Sequence, residues 1–233
     1  DGAPSPIIEN MRFVNSNLSG SVIHGYEPGS FNITNSLFAN NNSSTIISHS
    51  DSDGSPHINN CTIVNNNNSD YIFNGQVNNT YFMNCIIRDN QSDSFNGSYN
   101  ITFSNFPGGS SDGNIDSDPL FCNSSSNDYT LYDSSPCVGT GQNGTNMGAY
   151  GIGCFSNSVY VSLEGNDFTG DGSINNPYRY IQTAINNSSD GDEIIIEPGT
   201  YLENINCDKR ISLIGQNQAG EVIIDGQGTS VGN

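Results

Sequence analysis

The feature that most constrains the fold is a repeat of 24 or 25 residues. The motifs "ENMRFVNSN", "TNSLFANNN", "NNCTIVNNN" and "MNCIIRDNQ" share one position, which is occupied by Asn10, Asn35, Asn60 and Asn84. A second register runs through "SVIHG", "TIISH" and "YIFNG", and its shared position holds Ile23, Ile47 and Ile72. Each period therefore carries two or more short strands separated by Gly, Asn and Ser turns, which is typical of a solenoid.

Residue types at the repeated positions distinguish the two solenoids that have this period, the leucine-rich repeat and the parallel β-helix. Leu is scarce, and β-branched residues and Phe fill the periodic positions, as strands prefer. Alternation along each strand predicts an inward face formed by Met11, Phe13, Ser36, Phe38, Cys61, Ile63, Cys85 and Ile87. Coils would stack about 4.8 Å apart, so the recurring Asn should form a ladder of side-chain amides. The sequence predicts an all-β fold, a right-handed parallel β-helix.

The second half of the chain contains one predicted short α-helix, over residues 177–187. Asn176 is a suitable N-cap and Pro177 a suitable first helical residue, and apolar side chains then follow at helical spacing. Such a helix can cover the open end of a β-helix, where unpaired strand edges would otherwise invite pairing.

Two segments resemble secreted proteins of the pectin-lyase-like β-helix superfamily. The segment "NDFTGDGSINNPYRYIQTAINNSSDGDEIIIEPGTYLENI" resembles their opening region, and "IDSDPLFCNSSSNDYTLYDSSPCVGTGQNGTNMGAYG" is similar to their closing segment. The resemblance implies a non-catalytic member in which the closing segment precedes the opening one. We expect β-helix coils over 1–110, a closing segment over 111–157, and an opening segment over 158–233 of either the same permuted β-helix or the next one.

An apolar strand lies near the end of the sequence and another lies near its beginning. A coil like the one that contains Ile7 and Ile8 would naturally follow the strand Val222, Ile223 and Ile224. We expect these five residues to form an assembly joint, through which copies associate head-to-tail. A single permuted domain is the alternative explanation.

The charge balance excludes several partners. The chain has 24 acidic and five basic residues, a net charge of -19. Such a chain repels nucleic acid and anionic membranes, which both require clustered Lys and Arg. No apolar run approaches the roughly 20 residues of a membrane span. We therefore expect no nucleic-acid partner and no membrane span.

Six cysteines, an even number, favour an oxidising compartment. Two of them, Cys61 and Cys85, share one repeat position on adjacent coils, where a disulfide is within reach and a stack of buried thiols is the alternative. The other pairings considered are Cys122–Cys137 and Cys154–Cys207, although connectivity cannot be deduced from sequence.

N-glycosylation sequons accompany the cysteines and favour an extracellular or cell-surface glycoprotein that carries N-linked glycans. They begin at Asn17, Asn32, Asn41, Asn42, Asn60, Asn67, Asn78, Asn90, Asn96, Asn100, Asn123, Asn143, Asn186 and Asn187.

The sequence motifs that would supply catalytic residues are incomplete. "GTYLE" at Gly199–Glu203 and "DYIFNG" from Asp70 resemble two pectin methylesterase motifs, but the Gln-bearing strands and the Arg-Pro-Trp segment of that family are missing. The adjacent Asp pair and Gly-His-Gly of polygalacturonases are missing too, and "IHG" at Ile23–Gly25 is only a fragment. We expect no catalytic or cofactor-binding residues and no enzyme activity; a carbohydrate-active lyase, hydrolase or esterase is the alternative.

Two acidic clusters supply hard oxygen ligands of the kind that Ca²⁺ prefers, although the same residue types form ordinary turns. The candidate calcium ligands are Asp51, Asp53, Asp112, Asp116 and Asp118. Three histidines, His24, His49 and His57, could meet on one face, since His24 and His49 lie one period apart. Their pattern does not predict a zinc site.

These features together predict an extracellular structural glycoprotein that assembles into a fibre or surface layer. A glycan-binding adhesin is the first alternative, with surface polysaccharide as its partner and exposed Tyr26, Tyr99 and Phe106 as its contacts.

Overall fold

The computed structural model describes residues 5–25, 30–50, 54–75, 79–216 and 220–226. They form two compact units, which are described separately. One comprises the chain up to Leu131 together with Ser135–Gly153, and the other comprises Tyr132–Ser134 together with the chain from Cys154 onward.

Short strands dominate the first unit and its boundary. In chain order they are β1 (Ile7–Glu9), β2 (Arg12–Val14), β3 (Ser21–Gly25), β4 (Asn32–Thr34), β5 (Leu37–Ala39), β6 (Asn42–His49), β7 (His57–Asn59), β8 (Thr62–Val64), β9 (Asn67–Gly75), β10 (Thr80–Met83), β11 (Ile86–Arg88), β12 (Phe95–Asn96), β13 (Tyr99–Thr102), β14 (Phe121–Asn123), β15 (Asp128–Tyr132) and β16 (Ile152–Cys154). Two 3-10 turns span Ser124–Ser126 and Gln142–Gly144.

Successive coils stack in parallel and build three sheets. Their strand orders are β1-β4-β7-β10-β13, β2-β5-β8-β11 and β3-β6-β9-β12. Equivalent residues of neighbouring coils lie side by side, as when Ile33 pairs with Ile8 on one side and with Ile58 on the other. The predicted all-β parallel β-helix is therefore confirmed.

The inward face is apolar and follows the predicted alternation. Phe38, Ile63 and Ile87 stack in the core, and Phe13 packs on Phe38 with its ring centroid 4.8 Å away. Met11 differs from its equivalents, because it lies in the first coil of the stack and is 49% exposed.

The recurring Asn turns the chain from the first sheet to the second. Asn10, Asn35, Asn60 and Asn84 all have a positive φ, between 48° and 55°. Asn adopts this left-handed conformation more readily than most residues. Its amide makes a ladder bond only between Asn60 and Asn35, with Nδ2 3.2 Å from Oδ1. The repeated Asn is therefore chiefly a bend residue.

The buried amide ladder lies at the next bend of each coil, between the second and the third sheet. The sequence analysis did not single out this position. Asn41 Nδ2 donates to Asn66 Oδ1 at 2.9 Å, and Asn66 Nδ2 donates to Asn90 Oδ1 at 2.8 Å. Each Oδ1 also accepts a backbone N–H from the preceding coil, and each Nδ2 also donates to a carbonyl within the core. A ladder was predicted correctly and placed on the wrong Asn.

The outward face of the second sheet is covered by the closing segment. Leu37, Val64 and Ile86 pack against a second apolar cluster that the chain beyond residue 115 contributes: Phe121, Tyr129, Leu131, Cys137 and Met147. Ala149 N donates to Thr62 Oγ1 at 2.9 Å and Gln142 N donates to Asn84 Oδ1 at 2.7 Å, which ties this segment to the coils.

The second unit contains the one α-helix among the described residues. Its elements are β17 (Ser158–Val161), α1 (Ile181–Asn187), β18 (Glu193–Ile196), β19 (Gly199–Tyr201), β20 (Ser212–Gly215) and β21 (Val222–Ile224). The strands form two parallel sheets, β17-β18-β20 and β19-β21, and α1 packs its Ile181, Ala184 and Ile185 into their core. No helix in the described ranges is long and apolar enough to span a membrane.

The predicted helix start is wrong by four residues. Residues 177–180 are not helical, because Tyr178 pairs with the edge of β17 through hydrogen bonds to Tyr160 and Ser162. Asn176 does not cap the helix, since its Nδ2 donates to Thr169 O at 2.7 Å. The pairing satisfies both the backbone N–H and the carbonyl of Tyr178.

Charged side chains from the following coil cap both ends of α1. The carboxylate of Glu203, which is buried, accepts the backbone N–H groups of Ile181 and Gln182, each at 2.9 Å. Lys209 Nζ donates to the carbonyls of Ile185, Asn186 and Ser188 at 2.7–2.9 Å. An anion at the amino end and a cation at the carboxyl end complement the helix dipole.

The expected disulfide pairings are wrong. Cys122 and Cys154 are disulfide-bonded, whereas Cys61, Cys85, Cys137 and Cys207 are free thiols. Cys122 and Cys154 both lie in the sheet β14-β15-β16, which the sequence analysis did not predict. The in-register pair on adjacent coils is thus the stack of buried thiols that was the alternative. Its sulfurs donate to backbone carbonyls, Cys61 Sγ to Asn59 O and Cys85 Sγ to Met83 O.

Candidate assembly edges

The first unit has one covered end and one open end. At the covered end, the segment 103–117 continues the stack through paired backbone at Ile86, Asn105 and Ile115. At the open end, β1, β2 and β3 each pair with the next coil on one side, and no described strand pairs with their other side. Unpaired strand edges of this kind are templates for a further strand.

Apolar side chains surround the open edge of the first unit. Ile7 is 70% exposed, and Met11 and Leu18 are 49% and 45% exposed. Ile8 points inward and packs on the core, as expected from the alternation. Two of the five predicted joint residues therefore lie on this edge.

The second unit also has one covered edge and one open edge, but here the last strands form the open edge. The edge of β17 is covered by residues 162–180, whereas β20 and β21 are the outermost strands of their sheets. The side chains of Leu213, Ile214, Ile223 and Ile224 are between 38% and 47% exposed. Val222, Ile223 and Ile224, the other predicted joint residues, form β21. Ile214 was not among the predicted joint residues.

Few charges lie on the two open edges. Residues 5–25 contain one acidic and one basic residue, and residues 207–226 contain three acidic and two basic residues. Three of the five basic residues of the chain, Arg12, Lys209 and Arg210, are therefore concentrated in these two coils. The whole chain carries a net charge of -19, so these edges contribute little to the repulsion between two copies.

No protein-family model, curated protein or solved structure matches this chain. The description of this chain as a parallel β-solenoid therefore rests on its sheet topology.

The candidate calcium ligands do not converge in the described part of the chain. Asp51 and Asp53 lie outside the described residues. Asp116 accepts Arg88 Nη1 at 2.5 Å and Gly108 N at 2.9 Å, and these two contacts lower its pKa. Asp118 accepts Leu120 N, and Asp112 accepts the hydroxyl of Ser111. Within the described ranges no three His, Cys, Asp or Glu residues could hold a metal ion together.

The expectation that His24 and His49 share one face is wrong. The strand register pairs His24 with Ser48 and Gly25 with His49. His24 is consequently exposed, with Nδ1 2.5 Å from Ser48 Oγ, and His49 is buried beside the ring of Phe31. His57 lies on the first sheet and stacks on Tyr81 at 4.8 Å.

The residues of the enzyme hypothesis form no visible active-site arrangement. Asp70 is exposed on β9, where its carboxylate accepts the hydroxyl of Ser69 at 3.0 Å. The second motif, Gly199–Glu203, is used structurally, because Tyr201 is a core residue and Glu203 caps α1.

Burial divides the sequons into two groups. Asn41 is buried, and Asn32, Asn60 and Asn90 are partly buried. A glycan on Asn41 or Asn90 would replace ladder hydrogen bonds, because each Nδ2 already donates twice. Asn78 lies outside the described residues. The exposed positions are Asn17, Asn42, Asn67, Asn96, Asn100, Asn123, Asn143, Asn186 and Asn187.

The aromatic residues of the adhesin hypothesis are scattered. Tyr99 is 47% exposed and contacts Phe95, with ring centroids 5.0 Å apart. Phe106 packs on the core and is partly buried. Tyr26 lies outside the described residues.

Proposed function

We propose that this protein is an extracellular structural β-helix of the pectin-lyase-like type, which assembles head-to-tail into a filament or surface layer. The observation that supports this best is the asymmetry of the edges. Among the described residues, one unit leaves the first coil of its stack unpaired on one side, and the other leaves its last coil unpaired on one side. These two surfaces differ, so a contact between them is heterologous, which is the type of contact from which filaments are built.

Side-chain chemistry supports pairing at these edges. Natural proteins usually protect an exposed strand edge with charged residues, Pro or a covering loop. The open edges carry few charges, and they expose Ile7 on one side and Ile214, Ile223 and Ile224 on the other. Joining the edges would bury these side chains, and burial of apolar surface favours association.

An extracellular location is part of the proposal. The disulfide between Cys122 and Cys154 is compatible with an oxidising compartment, as disulfides rarely persist in the cytosol. N-linked glycans would be carried by exposed sequons such as Asn17 and Asn143.

The test is the concentration dependence of assembly. Purified chain should form oligomers of increasing mass in sedimentation velocity, and extended particles by electron microscopy. Ile7→Lys should reduce assembly, because it places a charge on the open edge. Ile152→Lys is the matched control, since Ile152 is 43% exposed on β16, which belongs to none of the sheets that form the open edges. Dispersed monomers at high concentration, or equal effects of the two variants, would refute the proposal.

A second candidate function, glycan binding, rests on one observation. The outward row of the first sheet contains Asn32, His57, Tyr81 and Asn100 in register, with the His57 ring stacked on Tyr81. Aromatic faces and amides are common contacts of neutral sugars. A glycan array probed with Tyr81→Ala beside the unmodified chain would test it, and the absence of any bound glycan would rule it out.

A further inference from the structure

We propose that the joint between copies has a single register, in which β20 of one copy pairs with β1 of the next and β21 pairs with β2. Ile214 then lies opposite Ile7, and Ile224 lies opposite Phe13. This inference rests on the proposed head-to-tail assembly and specifies its partner surface residue by residue.

The first step is to establish which side chains of the second unit point inward. In the sheet β17-β18-β20, Ile194 pairs with Leu213 and Ile195 pairs with Ile214. Ile194 is fully buried and Ile195 is only partly buried, so Leu213 shares the inward row and Ile214 shares the outward row. In the sheet β19-β21, Tyr201 is buried and pairs with Ile224, which is therefore inward.

The second step is to match the sheets of the two units. In the first unit, Phe31, Ile33 and Phe38 are buried, and two residues separate β4 from β5. In the second unit, the buried residues are Ile194, Ile196 and Tyr201, and again two residues separate the strands, β18 from β19. The spacing of the buried side chains is identical in the two units. The sheet of β20 therefore corresponds to the sheet of β1, and the sheet of β21 corresponds to the sheet of β2.

The third step carries this match to the edge strands. Ile33 corresponds to Ile196, whose neighbour is Gly215, and Ile33 itself neighbours Ile8. Stacking the edges in the same register places Gly215 opposite Ile8, and hence Ile214 opposite Ile7.

The same reasoning applies to the second sheet of the coil. Phe38 corresponds to Tyr201, whose neighbour is Ile224, and Phe38 itself neighbours Phe13. Ile224 therefore lies opposite Phe13 and extends the inward row that Phe13 begins.

The outward rows support this register independently. In the second unit the outward row is apolar and runs Tyr160, Ile195, Ile214. In the first unit the outward row begins with Ile7, which is 70% exposed, and becomes polar from Asn32 onward. The proposed register gives Ile7 an apolar outward neighbour.

Other registers fit these side chains less well. A shift of two residues in either direction places Ser212 or Gln216 opposite Ile7. A shift of one residue exchanges the inward and outward faces of the whole strand.

Disulfide trapping between two variants, each of which carries one exposed thiol, tests the register. Both carry Cys207→Ser, which removes the exposed native thiol. One carries Ile7→Cys and the other carries Ile214→Cys, and the mixture is oxidised with oxidised glutathione. Residues in register on adjacent strands lie about 4.8 Å apart, within the range of a disulfide. The mixture should form a cross-linked dimer, and neither variant should do so alone.

The matched control is Glu9→Cys mixed with Ile214→Cys. Glu9 lies on the same outward face two residues, about 6.6 Å, further along β1. Together with the spacing of about 4.8 Å between strands, this puts its Cα about 8 Å from that of residue 214, beyond the reach of a strain-free disulfide. A second pair of variants on the other sheet, Arg12→Cys with Ile223→Cys, should also form a cross-linked dimer. This pair tests the same register even if the first variants do not fold. Cross-linking of the mixtures is compared at protein concentrations at which sedimentation shows equal assembly.

The possible failures are distinguishable. Assembly with cross-linking at Glu9, or between two copies of Ile7→Cys, would overturn the register while leaving the proposed function standing. Monomers under all conditions would overturn both.

Discussion

At the scale of single residues, the amide of Asn66 stabilises the stack of coils through four hydrogen bonds. Its Nδ2 donates to Phe38 O and to Asn90 Oδ1, and its Oδ1 accepts both the backbone N–H and the Nδ2 of Asn41. The side chain is almost fully buried. Without these partners, the polar groups of three successive coils would be buried and unsatisfied, which is costly.

We predict that Asn66→Ala lowers the free energy of unfolding by roughly 3 kcal/mol, since it leaves buried donors unpaired and opens a small cavity. Asn67→Ala is the matched control, because Asn67 is exposed and its Nδ2 makes one ladder bond, to Asn42. That variant should lose less than about 1 kcal/mol. Urea unfolding followed by circular dichroism measures both. Equal losses would show that burial of the ladder contributes nothing.

Cysteine reactivity also belongs to the residue scale. Burial is the largest cause of the raised pKa of Cys61, and it raises the pKa of Cys137 to about 11. Thiols with raised pKa values remain protonated near neutral pH and are poor nucleophiles. Cys85 is likewise buried, whereas Cys207 is exposed.

We predict that iodoacetamide at pH 8 labels only Cys207 in the native chain, because the other free thiols are buried. Mass spectrometry should then find four labels after unfolding without reductant and six after reduction, which matches four free thiols and one disulfide. Two labels in the unfolded, unreduced chain would mean that a second disulfide exists.

At the scale of elements, the short helix α1 depends on residues outside itself. Seven residues are too few for a stable isolated helix in water. Glu203 and Lys209 satisfy its terminal N–H and carbonyl groups from the next coil, and its apolar face packs on Ile194 and Ile196. The helix is thus stabilised by tertiary contacts more than by its own propensity.

We predict that Glu203→Gln lowers the free energy of unfolding by about 1–2 kcal/mol, because an amide nitrogen would face one of the two helix N–H groups. Lys209→Met should cost about 1 kcal/mol through loss of the carbonyl contacts. Glu197→Gln is the control for charge removal, as Glu197 is exposed. Thermal and urea unfolding of the three variants provide the measurement, and a loss for Glu197→Gln equal to that for Glu203→Gln would contradict the capping role.

At the scale of the whole molecule, charge opposes association and apolar edges favour it. Each copy carries a net charge of -19, while the two open edges are nearly neutral. Repulsion between copies therefore comes from charges away from the joint, and salt screens such charges effectively. The screening length falls from about 30 Å at 0.01 M ionic strength to about 8 Å at 0.15 M.

We predict that assembly increases as the NaCl concentration rises from about 10 mM to about 300 mM, because the screening length shortens over this range. Sedimentation velocity at constant protein concentration should show a rising weight-average mass. Ile7→Lys should remain less assembled than the unmodified chain at the highest salt, since its defect lies at the joint. A mass that falls as salt rises would indicate that charge pairs hold the copies together.

The solenoid was predictable because its signal repeats. Each coil supplies the same alternation, so Phe13, Phe38 and Ile63 could be assigned to one row without any structure. The period also contained the buried ladder, because Asn41, Asn66 and Asn90 recur at the same interval. Asn is so frequent in this chain that several rows show that interval. Burial distinguishes those rows, and it depends on the bends at Asn40, Asn65 and Asp89, which have a positive φ and immediately precede the ladder residues.

By itself, the sequence determined the fold class, the coil period, the inward rows and the apolar strands Ile7–Glu9 and Val222–Ile224. The tertiary structure alone decided which cysteines pair, where α1 begins and what covers each sheet. The physical reason is that the repeat depends on the local order of residues, and this order recurs in every coil. A disulfide, a helix cap from Glu203 or a covered face depends on which distant residues meet, and that depends on how the coils stack.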